Sequence, residues 1–215
     1  MSAERPNSTP RRRRAEARPD DILDAALTVF RQRGFAAARV EDIAAQAGLS
    51  KGAVYLYFDS KQTMLRALVE RAVQPLAEQI AALADSSSDN AEKTLRRVLR
   101  LAGRALDESD IFAVPRIVVA EAGNFPDIAQ LYREKVIETG LGALSRLVAR
   151  GIAEGAFRPV DPHHAARSIV GAVVLHMIWV TTFARSDDPA LPASEVLEDH
   201  LDLLLNGLVP RREAS

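Results

Sequence analysis

The chain has no cysteine in its 215 residues, which excludes a disulfide framework and any thiolate metal site. It also lacks an unbroken apolar run of the ~20 residues that a bilayer-spanning helix needs. The nearest approach, Ile169 to Ala184, is interrupted by His176, Thr181 and Thr182. The N-terminus is basic but has no apolar core of the kind a signal peptide carries. A cytoplasmic protein without membrane contact is therefore expected. No glycine-rich phosphate loop, nucleophile elbow or HExxH motif occurs, so no catalytic residue is assigned and no enzyme activity is expected. Adjacent His163 and His164 would point to different sides of a helix. No carboxylate–histidine spacing supports them, so no metal and no cofactor is expected.

What is present is apolar and segmented. Hydrophobic residues make up 47% of the chain and charged residues 27%, enough to bury a core in one or two domains. The net charge of −1 hides an asymmetry: residues 1–61 hold 11 Lys/Arg against 8 Asp/Glu, and the remainder 17 against 21. A basic end on an acidic body suits a protein that meets a polyanion at one end only.

The chain is organised around Arg39 to Lys61. Val40, Ile43, Ala44 and Ala47 fall at helical spacing and give one apolar face. Glu41 and Asp42 occupy the first turn, where carboxylates suit the positive end of the helix dipole. Gly48 ends that helix, because glycine enters the left-handed conformation without steric cost. Leu49 folds back on it, and Ser50 is placed to cap a second helix beginning Lys51-Gly52-Ala53. This is the layout of a helix-turn-helix, whose second helix enters the major groove N-terminus first. Lys51 brings a cation to a helix end that already offers backbone N–H groups to phosphate, and Gly52 and Ala53 allow close approach. Tyr55 and Tyr57 lie about 200° apart around a helix, so Tyr55 is expected on the DNA side while Val54 and Phe58 pack inward. Tyr57 and Lys61 are expected to hold phosphates.

The stretch from Asp21 to Leu65, about a fifth of the chain, resembles the DNA-binding domain of the tetracycline-repressor (TetR) family of bacterial regulators. The resemblance rests on Phe30, Arg33-Gly34-Phe35 and VEDIAAQAGLSKGAVYLYFDSK. It implies an all-α fold, with a three-helix DNA reader on a helical effector-binding and dimerisation domain. It further implies that Ser50, Lys51, Gly52, Ala53 and Tyr55 approach bases and adjoining sugars, and that Tyr57 and Lys61 clamp phosphates. One position departs from the pattern. Arg39 stands where the family usually has Ser or Thr, and its guanidinium cannot accept the capping hydrogen bond, a loss of about 1 kcal/mol. It is still expected to reach a phosphate.

Taken in order, residues 1–18 carry Arg11-Arg12-Arg13-Arg14 and are expected to be disordered without DNA, as a solvated tail or a basic arm on the duplex. Residues 19–65 form the reader and 66–210 the body. In the first helix Ile22, Ala25, Ala26, Val29 and Phe30 share a face. Asp59-Ser60 cap a long helix in which Pro75 predicts a kink or break near Gln74. Leu95, Val98, Leu99, Ala102 and Leu106 point inward from a helix over 91–108. A long helix follows from about Pro126 to Glu154. Asp161 and Pro162 open a helix to about residue 185 that is apolar nearly all round and must be covered on most sides. Ser194 is placed to cap the last helix, lined by Leu197, Leu201, Leu204, Leu205 and Leu208. Two such apolar helices per subunit suit a four-helix homodimer interface, and the resemblance implies the same; ordinary internal core is the alternative.

The resemblance places a small-molecule effector among the middle helices. Phe112, Arg116, His176, Trp179 and Phe183 are nominated for that site, with Arg116 or His176 meeting a polar or anionic group on a hydrophobic effector. The function expected is a ligand-responsive repressor, nucleoid-associated, that binds a palindromic double-stranded operator as a homodimer and is released by the effector. An activator or ligand-independent regulator of the same family stays open, as does a helical ligand-binding protein without specific DNA affinity.

Overall fold

The computed structural model describes residues 19–108 and 112–208. Among the described residues the fold is all-α, with helices α1 (Pro19–Arg33), α2 (Val40–Gln46), α3 (Lys51–Tyr55), α4 (Lys61–Leu68), α5 (Gln74–Ser86), α6 (Ala91–Glu108), α7 (Ala113–Glu121), α8 (Pro126–Tyr132), α9 (Thr139–Ala153), α10 (Pro162–Ile178) and α11 (Ala193–Leu208). The arginine run of residues 11–14 lies outside the described residues, as does the side chain of Leu208.

Pro75 does not break its helix. Val69–Val73 form a π-helical turn that joins α4 to α5. A proline ring clashes with the carbonyl four residues back, and widening the preceding turn to an i→i+5 pattern relieves that clash while the helix continues. A similar π turn, Arg133–Glu138, joins α8 to α9, and a third, Trp179–Phe183, ends α10.

Two cores hold the molecule. One gathers the inward faces of α1 to α4 and continues into the body through Val114, Ile117, Val118 and Ile128. Leu65, Leu68 and Val69 are all fully buried in it. A division at 65/66 falls inside α4 and inside this one core, so no break in the chain marks it. Phe30, Phe35 and Phe125 extend the same continuity as edge-on rings at 4.9 and 5.2 Å, and Arg66 on α4 pairs with Asp127 on α8 at 2.7 Å. The other core packs α5, α6, α9, α10 and α11, with Leu95, Leu147, Ile169 and Leu201 at its centre.

The start of α11 is held from a distance. Ser194 lies within the helix, and the cap is the carboxylate of Asp107 on α6, which accepts from Ala193 N at 2.6 Å and Ser194 N at 3.1 Å. Partial burial pushes Asp107 up, but these hydrogen bonds outweigh it and hold the carboxyl below its ordinary value. A depressed carboxylate contributes stability above its unfolded value of ~3.9 and loses it as pH falls through the folded value. Asp107→Ala is therefore expected to cost about 1 kcal/mol, the range of a lost N-cap. Thermal melts of both proteins at pH 7 and pH 3 check this, and the gap between them should shrink at the lower pH.

α10 departs from expectation in two ways. With its π turn it spans Pro162–Phe183, 22 residues containing an 18-residue stretch of mean hydropathy 1.5, long and apolar enough by length and composition to cross a membrane. The polar residues His176, Thr181 and Thr182 do not lower the average below that level. Nor is the helix covered on most sides: only 22% of that 18-residue stretch is buried within the chain. Ala166, Ile169, His176 and Met177 face the core, while Val174, Leu175, Trp179 and Phe183 lie exposed.

Candidate nucleic-acid interface and effector cavity

The reader is built from short-range signals. Gly34 and Gly48 adopt φ of +78° and +69°, conformations that a side chain would strain, and each turns the chain between helices. Ser50 is the N-cap of α3, its Oγ accepting from Ala53 N at 3.2 Å. Val54 and Phe58 are buried, and Lys51, Gly52, Tyr55 and Tyr57 are exposed on the outer side. α3 ends at Tyr55, so Tyr57 lies in the following turn, held by its N–H to Val54 O at 3.0 Å. Both tyrosines therefore reach solvent despite their spacing, with Leu56 exposed between them.

The missing cap at Arg39 is partly offset. Asp42 Oδ2 accepts from Arg39 N at 3.3 Å, and the same carboxylate pairs with Arg33 at 2.8 Å. That anchors the start of α2 and leaves the Arg39 side chain exposed. Lys51 is not idle in the absence of DNA. Its ammonium hydrogen-bonds to Glu41 across the helix-turn-helix and lies 5.6 Å from the Tyr55 ring centre. The Lys51 bond holds the Glu41 carboxyl below its ordinary value, and the same bond raises Lys51. Phosphate must displace Glu41 to engage Lys51, a competition between two exposed anions that costs little.

Lys61 is placed otherwise than expected. Its ammonium donates to the carbonyls of Phe35 (2.6 Å), Ala36 (2.7 Å) and Ala38 (3.3 Å) and sits 4.8 Å above the Phe35 ring. Burial lowers its pKa, with Glu121 acting in the opposite sense. An ammonium has three donors, and here all three are engaged. Lys61 fastens the α1–α2 loop to α4 through these carbonyls.

The body contains a cavity of about 370 Å³ between α5, α6, α7, α9 and α10 and the π turns after α4 and α8. Its walls are aliphatic: Val98, Leu99, Leu144, Ile169 and Val173 are typical. Among the described residues the only polar side-chain group on the wall is the Tyr132 hydroxyl, whose pKa burial pushes up to about 12. Gly140 also lines it, and a Cβ there would meet nothing within 4 Å.

Of the five residues nominated for the effector, only Phe112 borders this cavity. Arg116 faces a separate cleft. His176 is buried and packs against Phe112 as a tilted ring with centres 5.9 Å apart, without lining the cavity. Trp179 and Phe183 point to solvent, their rings 6.4 Å apart. A void forms where side chains stop short: Tyr132 and Gly140 line it without having been nominated, and Gly140 carried a weak signal as a glycine inside a helical pattern.

Among the described residues no group of three or more His, Cys, Asp or Glu side chains is arranged to hold a metal ion.

Comparison with known proteins agrees with both parts of the architecture. Residues 22–68 match the family described as bacterial regulatory proteins, tetR family, and residues 93–203 match the AefR-like transcriptional repressor, C-terminal domain. An uncharacterized HTH-type transcriptional regulator of Bacillus subtilis, YfiR, is 31% identical over 156 residues, covering 68% of this chain and 71% of that protein. The HTH-type transcriptional repressor KstR2 of Mycolicibacterium smegmatis is 26% identical over 199 residues, covering 89% and 91%. The solved structure of the ketosteroid transcriptional regulator KstR2 of Mycobacterium tuberculosis superposes with a TM-score of 0.69 at 25% identity, covering 92% of this chain and 97% of that one.

Proposed function

This chain belongs to the TetR family of bacterial regulators, and we propose that it is a ligand-responsive, sequence-specific repressor. It grips a palindromic operator as a homodimer and leaves it when a small molecule binds. The observation that carries the reading is the outer side of α3, where Lys51, Gly52 and Tyr55 stand exposed while Val54 anchors the helix from behind. Two such readers related by a twofold axis meet half-sites roughly 34–36 Å apart. Ser50, Lys51, Gly52, Ala53 and Tyr55 approach base edges and sugars, while Arg39 and Tyr57 hold phosphates. Lys61 supports the reader from within. Residues 19–65 act as the reader and 66–210 as the body.

The effector enters the cavity of the body and is predominantly apolar, since the wall offers one hydroxyl and no charge. That a relative is called a ketosteroid transcriptional regulator is in keeping with an apolar effector. The homodimer forms through the exposed face of α10 together with α11, as a four-helix interface. This role places the protein in the cytoplasm, at the nucleoid, and involves no catalysis.

The test is fluorescence anisotropy of the full-length protein with DNA from upstream of its own gene and with a scrambled duplex, each across a salt series. The native fragment should bind well above the control. Lys51→Ala should weaken native binding by about tenfold and reduce the slope of log K against log salt by about 1.8, because one cation beside the phosphates is lost from each of the two readers. Equal, weak and salt-sensitive binding to both duplexes would overturn the specific reading.

A further inference from the structure

Two cavities of opposite character meet at one side chain. Phe112 lines both the aliphatic cavity and a larger cleft of about 630 Å³ that opens between reader and body. Arg31 and Phe35 form the reader side of the cleft, Arg116 and Glu121 the α7 side. Arg116 is exposed there and makes no hydrogen bond or ion pair among the described residues. Glu121 is engaged: its carboxylate accepts from Asn124 Nδ2 at 3.0 Å and interacts with the Lys61 charge. Glu121 keeps its charge, so Arg31 and Arg116 against Glu121 leave the cleft net cationic.

The junction carries a second signal. His176 packs against Phe112 from beneath at 6% exposure, and its Nδ1 is buried with no hydrogen-bond partner among the described residues. Buried polar atoms are ordinarily paired; this nitrogen is left unpaired beside Phe112, the side chain the two spaces share, although His176 itself lines neither of them.

We infer that the cavity and the cleft form one bipartite site for an amphiphile, a single alkyl chain with an anionic head, the chain lying among the aliphatic walls and the head at Arg116. This rests on the ligand-responsive reading above and narrows it. A volume of about 370 Å³, at ~30 Å³ per water-sized group, holds roughly a dozen methylene-sized groups. An anion in the cleft touches α7 and the end of α1 together. Those elements share the reader's core through Phe30, Ile117 and Val118, so occupancy bears directly on the placement of the helix-turn-helix.

Isothermal titration of the full-length protein with decanoate and with 1-decanol, which share a chain and differ in the charge of the head, tests the inference. Decanoate should bind at least about tenfold tighter. Arg116→Gln should erase that advantage and leave 1-decanol unchanged. Gly140→Leu fills the chain cavity from a position with open space and favours the helix, so it should weaken both ligands at least about tenfold without lowering the melting temperature. Equal affinities for the two ligands, or a decanoate affinity that Arg116→Gln leaves intact, would overturn the anionic head. Decanoate binding untouched by Gly140→Leu would overturn the chain cavity as its partner. Decanoate that binds as expected but leaves operator DNA in place would support the site and instead overturn the effector role proposed above.

Discussion

Gly52→Leu is expected to leave the fold intact and to abolish operator binding. A Cβ built on Gly52 meets nothing within 4 Å, and the backbone there is not in the left-handed region. A leucine is therefore free of clash, and replacing glycine inside a helix gains up to ~1 kcal/mol. The melting temperature should stay level or rise slightly. In the proposed complex the same open space is occupied by the edge of the duplex. A side chain of four carbons there holds the backbone of α3 away from the groove and separates Lys51 and Tyr55 from their contacts as well. The loss should reach about 100-fold or more, since about 2.7 kcal/mol corresponds to that factor. Gly52→Ala should fall between, because one methyl is tolerated at the edge of a groove better than an isobutyl group. Thermal melts and anisotropy on the same preparations separate the two effects. A leucine variant that binds like the parent would place the N-terminus of α3 outside the groove and refute the docking proposed here.

Features set by neighbours in the chain were legible without coordinates. The inward face of α1, the stop at Gly48, the Ser50 and Asp161 caps and the inward face of α6 all depend on contacts within a turn or two, and all are found where their spacing put them. What escaped the sequence depends on partners far away in the chain. Lys61 is turned inward by carbonyls 23 to 26 residues earlier. α11 is capped by an aspartate 86 residues earlier, which made Ser194 a plausible local substitute. Pro75 correctly announced a local disturbance, but whether a helix breaks or widens there depends on the packing of Val69 and Val73 in the turn before the proline. The cavity of the body was least legible of all. Periodicity reports which side chains point inward, and a void is a property of how far they fail to meet.

The exposed face of α10 supports the other large expectation. Leu175 is 67% exposed and Phe183 61% in the single chain. In a lone protomer Leu175→Glu is a surface change, normally within about 0.5 kcal/mol of neutral. If α10 is covered by its twofold mate, the same substitution buries two carboxylates in one symmetric interface, because an isologous contact repeats every residue. The exposed apolar surface formed by Val174, Trp179 and Phe183 offers these carboxylates no charge, and the nearest cation along α10, Arg167, lies two turns away. Burying an unpaired charge costs several kcal/mol even after relaxation. Dimer affinity should fall by about 1,000-fold, equivalent to about 4 kcal/mol, with helical content and single-chain melting little changed. Sedimentation at micromolar concentration should then find monomer. Operator binding should weaken in step, because a single reader engages one half-site and loses the effective concentration that the second one supplies. A Leu175→Glu protein that stays dimeric and holds its operator as the parent does would show that this face is not the interface. The exposed apolar length of Pro162–Phe183 would then require a different partner.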